Sequence, residues 1–222
     1  MQPLKITAWP RVGIETDEFL PIDGILYAAA MRRAYGPELL TTPGRAADAA
    51  PVALPLARRG EGQAWYYAAS FAQWGPRADY TSFWVKRFDQ SQADLVDFGG
   101  RRGKVIVEQG RYKAYHMPTF LRHALWLSWY VVGDREEIEA LLAFVTHVGK
   151  KTAQGNGRLN GWAVEPWPED WSVTDPDGRL MRAIPAAPGQ GGVLYGIRPS
   201  YWLSENQTHC RLPVLTNQVY TY

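Results

Sequence analysis

The sequence predicts an α+β fold in which two helices cover one face of an antiparallel sheet, the ferredoxin-like (RRM-like) split βαβ layout. Three observations predict it. The N-terminal segment alternates apolar and polar residues at period two, two well-separated stretches carry helical apolar spacing, and Gly-bounded β-rich runs flank the second of them.

Leu4 to Trp9 reads as the first strand, with the alternation already under way from Met1. Pro21 opens a helix in which Ile22, Ile25, Leu26, Ala29 and Ala30 recur at i, i+3, i+4, i+7 and i+8, and Gly36-Pro37 stops it. Residues 36–82 are rich in Ala, Pro, Gly and Arg without a sustained period and are expected to form an insertion, with a short element near Ala64–Ala72. Ser82–Phe88 and Lys104–Gln109 are expected strands, separated by Gly99, Gly100 and Gly103. Ala124–Val132 is apolar and aromatic, as a buried strand is. Asp134 caps a second helix to about residue 148, Glu137 completes a capping box, and Ile138, Leu141, Leu142, Val145 and Val148 form its buried stripe, with Gly149 ending it. Arg158–Val164 is a further strand. A Pro/Asp/Gly-rich stretch, read as a second insertion at 167–192, precedes expected strands at Val193–Leu203 and Arg211–Val219. The chain is thus expected to be one domain over 1–222, its second sheet face free for a ligand, as in RNA-recognition modules.

Composition narrows the function classes. The 222 residues are 46% hydrophobic and 21% charged, which suits a globular chain, and no run approaches a membrane span. The absence of a signal-like N-terminus and the single cysteine, Cys210, point to a reducing cytoplasm and exclude an intrachain disulfide framework. No paired Cys and His residues have metal-ligand spacing, and no cofactor is expected. Asp17, Glu18 and Asp23 suit a loop and a helix start better than a hydrolytic carboxylate pair. Ten Trp and twelve Tyr are many, and those outside regular elements (Trp65, Tyr66, Tyr67, Trp74, Trp167, Trp171) either pack long loops or stack on bases and partners.

Net charge is only +2, but the charge is unevenly placed. Arg101, Arg102, Lys104, Arg111 and Lys113 face one acid, Glu108, within thirteen residues. From Gly149 to Arg158 the chain carries Lys150, Lys151 and Arg158, three glycines (Gly149, Gly155, Gly157), the neutral polar Thr152, Gln154 and Asn156, and no acid. Glycines let backbone amides approach phosphates, and the cations supply the opposing charge. The segment is not a Walker A loop, because Phe144 stands where that motif has its first Gly and Lys151 where it has Ser or Thr. Both basic stretches are candidate polyanion contacts.

The basic glycine loop between second helix and strand resembles the signature loop of the RAMP superfamily of CRISPR proteins. Leu4-Lys5-Ile6-Thr7-Ala8 and Ile22-Asp23-Gly24-Ile25-Leu26-Tyr27-Ala28-Ala29-Ala30 are similar to that superfamily's first strand and helix. The run Gly110-Arg111-Tyr112-Lys113-Ala114-Tyr115-His116-Met117-Pro118 and Gly133-Asp134 are similar to type IV members. The resemblance covers about 1–35 and 104–165 and is strongest to the Cas-five-type subunit that caps the 5′ handle of guide RNA. It implies a non-catalytic RNA-binding subunit in defence against foreign DNA. The implied partners are CRISPR guide RNA, backbone RAMP subunits, a large target-recognition subunit and, through the complex, target DNA and a helicase. The implied RNA contacts are Arg101, Arg102, Lys104, Arg111, Tyr112, Lys113, His116 and the loop residues Gly149, Lys150, Lys151, Gln154, Gly155, Asn156, Gly157 and Arg158. One alternative is a metal-free RAMP endoribonuclease using Tyr112, Lys113, Tyr115 and His116. On a strand, however, period two would split these between two faces. Another is a small-ligand-binding ferredoxin-like domain.

Overall fold

In the computed structural model, which describes residues 1–17, 19–36, 50–100, 103–187 and 189–214, the chain divides into two compact units. One comprises residues 1–78 and 122–222, the other 79–121.

The first unit is built on β1 (Gln2–Pro10). Leu4, Ile6 and Ala8 are fully buried, as period two requires of a strand with one core face. Helix α1 (Ile22–Tyr35) follows and ends where the N–H of Gly36, at φ +84°, bonds to the Arg32 carbonyl at 3.0 Å. Short strands β2 (Arg58–Arg59) and β3 (Tyr66–Tyr67) form a hairpin, and β4 (Gln73–Trp74) comes next. Then come β5 (Arg77–Lys86), β6 (Tyr115–Ala124), β7 (Leu127–Gly133), α2 (Arg135–Leu142) and β8 (Leu159–Pro166). Strands β9 (Ile184–Pro185), β10 (Val193–Gly196) and β11 (Gln207–Arg211) close the chain as a separate three-stranded sheet, order β10-β11-β9.

The main sheet has the order β4-β7-β1-β8 with every pairing antiparallel, the order and directions of a split βαβ unit. Ile6 lies opposite Trp129 on one side and Val164 on the other, so all three point into the same core. Both helices cover that face: Leu26, Ala29 and Ala30 of α1 and Ile138, Leu141 and Leu142 of α2 join the same cluster, and Arg33 reaches Glu137 at 3.1 Å between the helices.

Five expectations change. Lys104–Gln109 is irregular rather than a strand, since its apolar residues find no strand partner among the described residues. Strand β5 begins five residues before the expected Ser82, and its residues are mostly exposed, so it lacks the apolar alternation that marks a core strand. Helix α2 stops at Leu142 rather than near 148. Beyond it, residues 145–148 extend as a strap that bonds to the start of β8: Leu159 N–H to the Thr146 carbonyl at 2.9 Å and Val148 N–H to the Gly157 carbonyl at 2.9 Å. The β-branched Val145, Thr146 and Val148 suit that pairing better than helix. The capping box is half-formed. Asp134 accepts from Glu137 N–H at 3.2 Å, but the Asp134 N–H bonds to the Pro55 carbonyl and the Glu137 carboxylate serves Arg33. Of the last expected strand, 211–219, only Arg211 is in a strand, and 215–219 lies outside the described residues.

Residues 50–78, read from sequence as part of an insertion, supply edge strand β4 and the buried Leu54, Leu56, Tyr67 and Phe71. They are tied in by two buried arginines from the C-terminal third. Arg182 donates to the carbonyls of Tyr67, Ala69 (2.8 Å), Ile197 (2.7 Å) and Ala183 (3.2 Å), and lies 3.6 Å from the carboxylate of Asp23. Arg198 donates to the carbonyls of Gln63 (2.8 Å), Trp65 (3.0 Å) and Glu205 (2.8 Å) and to the Asn206 side chain (2.7 Å). Asp23 is therefore a fully buried structural acid rather than a solvated one at a helix start. Burial pushes its carboxyl up, while Arg182, the Tyr201 hydroxyl (2.5 Å) and the Gly24 N–H oppose the shift.

The second face of the sheet is only partly free. Trp167 and Trp171, from the stretch read as a second insertion, pack on Tyr130 at 5.4 and 4.9 Å between ring centroids, with Lys5 over Trp167 at 5.1 Å. Thr7, Trp9, Gly161 and Ala163 at the other end of that face stay partly or largely exposed.

Two outcomes follow from this packing. Arg182→Met removes donors from three or more carbonyls and leaves Asp23 unpaired, so urea unfolding is expected to show a loss of about 3–5 kcal/mol. The exposed Arg211→Ala shifts stability by under about 0.5 kcal/mol. Cys210 is buried on β11, and burial pushes its thiol up to about 11. The native protein at pH 8 is therefore expected to resist a thiol-titrating disulfide reagent and to titrate one thiol in denaturant. Rapid native labelling refutes this packing.

Candidate nucleic-acid interface

The basic glycine loop is a built structure rather than a plain turn. It leaves the 145–148 strap, passes through a 3-10 turn at Thr152–Gln154 and enters β8. Four of its residues have positive φ: Gly149 (+87°), Lys151 (+53°), Gly155 (+92°) and Gly157 (+69°). Lys151 is the only non-glycine with positive φ among the described residues. A left-handed lysine costs about 1–2 kcal/mol, and such residues persist where their surroundings fix them.

Residues 13–17 provide that fixing. The Gly157 N–H bonds to the Gly13 carbonyl at 2.9 Å, and the Lys150 N–H to the Glu15 carbonyl. Ile14 is fully buried and exchanges backbone bonds with Arg122 at 2.8 and 3.0 Å, while an Arg122 guanidinium nitrogen donates to the Asp17 carbonyl at 3.0 Å. The glycines divide by role. A Cβ on Gly149 would lie 2.4 Å from the Glu15 carbonyl oxygen and one on Gly157 only 1.8 Å from that of Val148. These two glycines let the loop close on its own neighbours. A Cβ on Gly155 meets nothing within 4 Å, so this glycine faces open space.

Lys150, Lys151, Gln154 and Arg158 are exposed, and Asn156 is half-buried. The charge is more balanced than the local sequence implies. Lys150 pairs with Asp17 at 2.5 Å and Lys151 with Glu15 at 2.9 Å. Glu18, next in the chain, lies outside the described residues. The Arg158 guanidinium makes no ion pair among the described residues. Beside the loop, a groove of about 540 Å³ runs between α1 and the strap, with Leu20, Ile25 and Phe144 on its walls and Arg32, His147 and Lys150 among its polar groups.

The other basic stretch belongs to the 79–121 unit. Arg101 and Arg102 lie outside the described residues. Lys104, Arg111 and Tyr112 line a shallow depression of about 460 Å³. Residues 110–112 form a 3-10 turn and the strand starts only at Tyr115, so a two-face split of Tyr112 and Lys113 does not arise. Tyr112 packs edge-on against Phe88 at 4.9 Å, and the Lys113 ammonium lies 5.7 Å from the Tyr115 ring. His116 stacks on Phe83 at 4.6 Å with the rings 3° from parallel. The aromatics Tyr80, Phe83, Trp84 and Phe120 are exposed on this unit, a feature the sequence reading missed because they lie in no apolar period. His209 and Cys210 alternate along β11, the first exposed and the second buried, so they do not face one site.

Fold and loop together define an α+β protein of ferredoxin-like strand order, with a cationic loop at the mouth of its edge strand. The chain belongs to the family described as CRISPR type IV associated protein Csf3, whose profile matches residues 2–213. No curated protein matches it. Among the described residues, no helix is long and apolar enough to cross a membrane.

The loop geometry gives a direct check. Gly155→Ala is expected to cost about 1–2 kcal/mol from its positive φ alone. Gly157→Ala costs more, because its Cβ also strikes the Val148 carbonyl. Lys151→Gly relieves the left-handed strain but gives up the Glu15 ion pair and loosens the unfolded chain, so its net change is expected to stay within about 1 kcal/mol. Chemical denaturation of the three variants reads the order, and equal losses at 155 and 157 refute the assigned close approach.

Proposed function

We propose that this chain is a non-catalytic RNA-binding subunit of a type IV CRISPR ribonucleoprotein, holding the 5′ handle of guide RNA on the loop 149–158. One observation carries the reading: a loop with four positive-φ residues, fixed from below by residues 13–15, displays Lys150, Lys151, Gln154 and Arg158 on its surface. Cations on a preordered backbone suit a phosphate chain, since affinity for nucleic acid comes chiefly from backbone charge. The 79–121 unit carries Lys104, Arg111 and Lys113 as well as exposed aromatics, a combination that suits single-stranded RNA, whose unstacked bases pack on rings. Family membership supports a place among CRISPR components. Backbone RAMP subunits, a large target-recognition subunit, target DNA and a helicase complete the proposed setting, which would place the chain in the cytoplasm.

Two other readings make different predictions. An endoribonuclease needs an imidazole or a Tyr–Lys–His group poised on a 2′-hydroxyl. The stacking of His116 on Phe83 favours a binding role for that ring instead. The groove beside α1 favours a small-ligand domain, which would bind a small molecule and leave RNA unbound.

Titration of a single-stranded repeat RNA at several salt concentrations tests the proposal. Lys150→Ala, Lys151→Ala and Arg158→Ala are each expected to weaken binding and to lower the log–log salt slope by about 0.7. A triple variant with wild-type affinity and slope removes the loop from the interface. The purified chain is expected to leave repeat RNA intact without metal. Specific cleavage that His116→Ala abolishes establishes the endoribonuclease reading in its place.

A further inference from the structure

The acids beneath the loop have a role that the RNA-binding reading does not use. Both lysines already hold a carboxylate: Lys150 that of Asp17 at 2.5 Å, and Lys151 that of Glu15 at 2.9 Å. Neither acid sits there by local sequence, since more than 130 residues separate each from its lysine. Backbone bonds to Gly157, Lys150 and Arg122 hold the segment that carries them, so the carboxylates are presented at a set place. Lys150 and Asp17 are both largely exposed, which makes their pair exchangeable. Glu15 is more enclosed, and its second carboxylate oxygen is buried without a hydrogen-bond partner among the described residues.

We propose that Glu15 and Asp17 are built-in competitors for phosphate that set the specificity of the loop, an inference that rests on the RNA-binding reading above. Each carboxylate occupies the position an RNA phosphate takes on binding. A lone phosphate must displace an acid that is tethered and therefore present at high effective concentration. A nucleic-acid strand brings successive phosphates and displaces both acids at once, with Arg158, which makes no ion pair among the described residues, as the cation of first contact. The loop therefore accepts an extended phosphate chain and discriminates against inorganic phosphate and mononucleotides. The displaced carboxylates stay close to the bound strand and hold its affinity below what the lysines alone would give.

The test is a cycle of variants in the full chain, read by titration with single-stranded repeat RNA. Asp17→Asn, an exposed and isosteric change, is expected to tighten binding about two- to five-fold and to steepen its salt dependence. The gain should vanish in a Lys150→Ala background, because the acid acts through that lysine. Inorganic phosphate is expected to compete poorly against RNA on the wild type and at several-fold lower concentration on Asp17→Asn. Glu15→Gln repeats the test at Lys151, and Asp17→Asn carries it alone should that buried position disturb folding. If Lys150→Ala weakens RNA binding but Asp17→Asn changes nothing, or its gain persists without Lys150, the proposal is overturned and the RNA-binding reading stands. If the triple loop variant binds like wild type, both fall.

Discussion

The guanidinium of Arg182 is the constraint on which the first unit depends. Four backbone carbonyls and one carboxylate converge on a side chain with almost no solvent contact. They come from the β3 region, from α1 and from the C-terminal sheet, which are also joined by the Phe71 N–H to the Met181 carbonyl (2.8 Å) and by a cluster of Phe19, Phe71 and Tyr195. A guanidinium offers five donors in a planar fork, so it can serve carbonyls from different directions where an ammonium could not. Its burial is tolerable because Asp23 supplies the countercharge and the carbonyls take up the N–H groups. Arg198 repeats the device on the neighbouring turn, with the Trp65 ring 4.7 Å beneath it. The two arginines make residues 50–78 part of the core, although that segment carries few features of regular structure.

The same economy of long-range pairing shapes the loop. Residues 13–17 give the glycine loop its backbone partners and also its opposing charge. One short segment thus supplies both the backbone bonds that close the loop and the carboxylates that pair with its lysines. Two of the three glycines serve the closure against residues 15 and 148, and Gly155 alone faces open space. The basic surface is therefore better described by the side chains of Lys150, Lys151, Gln154 and Arg158 than by a nest of free amides.

How much of this was legible in sequence depended on whether the determinant was local. Strand β1 and helix α1 were readable because their periodicities are set by a single core face. Strands β7 and β8 were readable because Trp129, Val131 and Val164 sit among β-formers. The end of α2 was not, because Val145 and Val148 fit a helical stripe as well as a strap, and only pairing with the start of β8 decides between them. Asp23 looked like an ordinary acid at a helix start, and nothing nearby announces Arg182. The basic character of 149–158 was legible, but its neutralisation by Glu15 and Asp17 was not, since it crosses the length of the chain. The 79–121 unit was the least readable, because its strands bury little and so impose no apolar alternation.

The register of β1 has a consequence for how the chain is made. Leu4 pairs with Val131 and with Pro166, so the central strand of the sheet is synthesised first and its neighbours far later. At about 5–20 residues per second, on the order of ten seconds separate the emergence of Leu4 from that of its first partner. Throughout that interval the nascent chain displays an apolar strand with both edges unpaired. Helix α1 and the β2–β3 hairpin can form in the meantime, and Asp23 waits longer still for Arg182. The first unit therefore cannot assemble domain-first from its N-terminus. It is completed only when the last third of the chain, with β8 and Arg182, arrives.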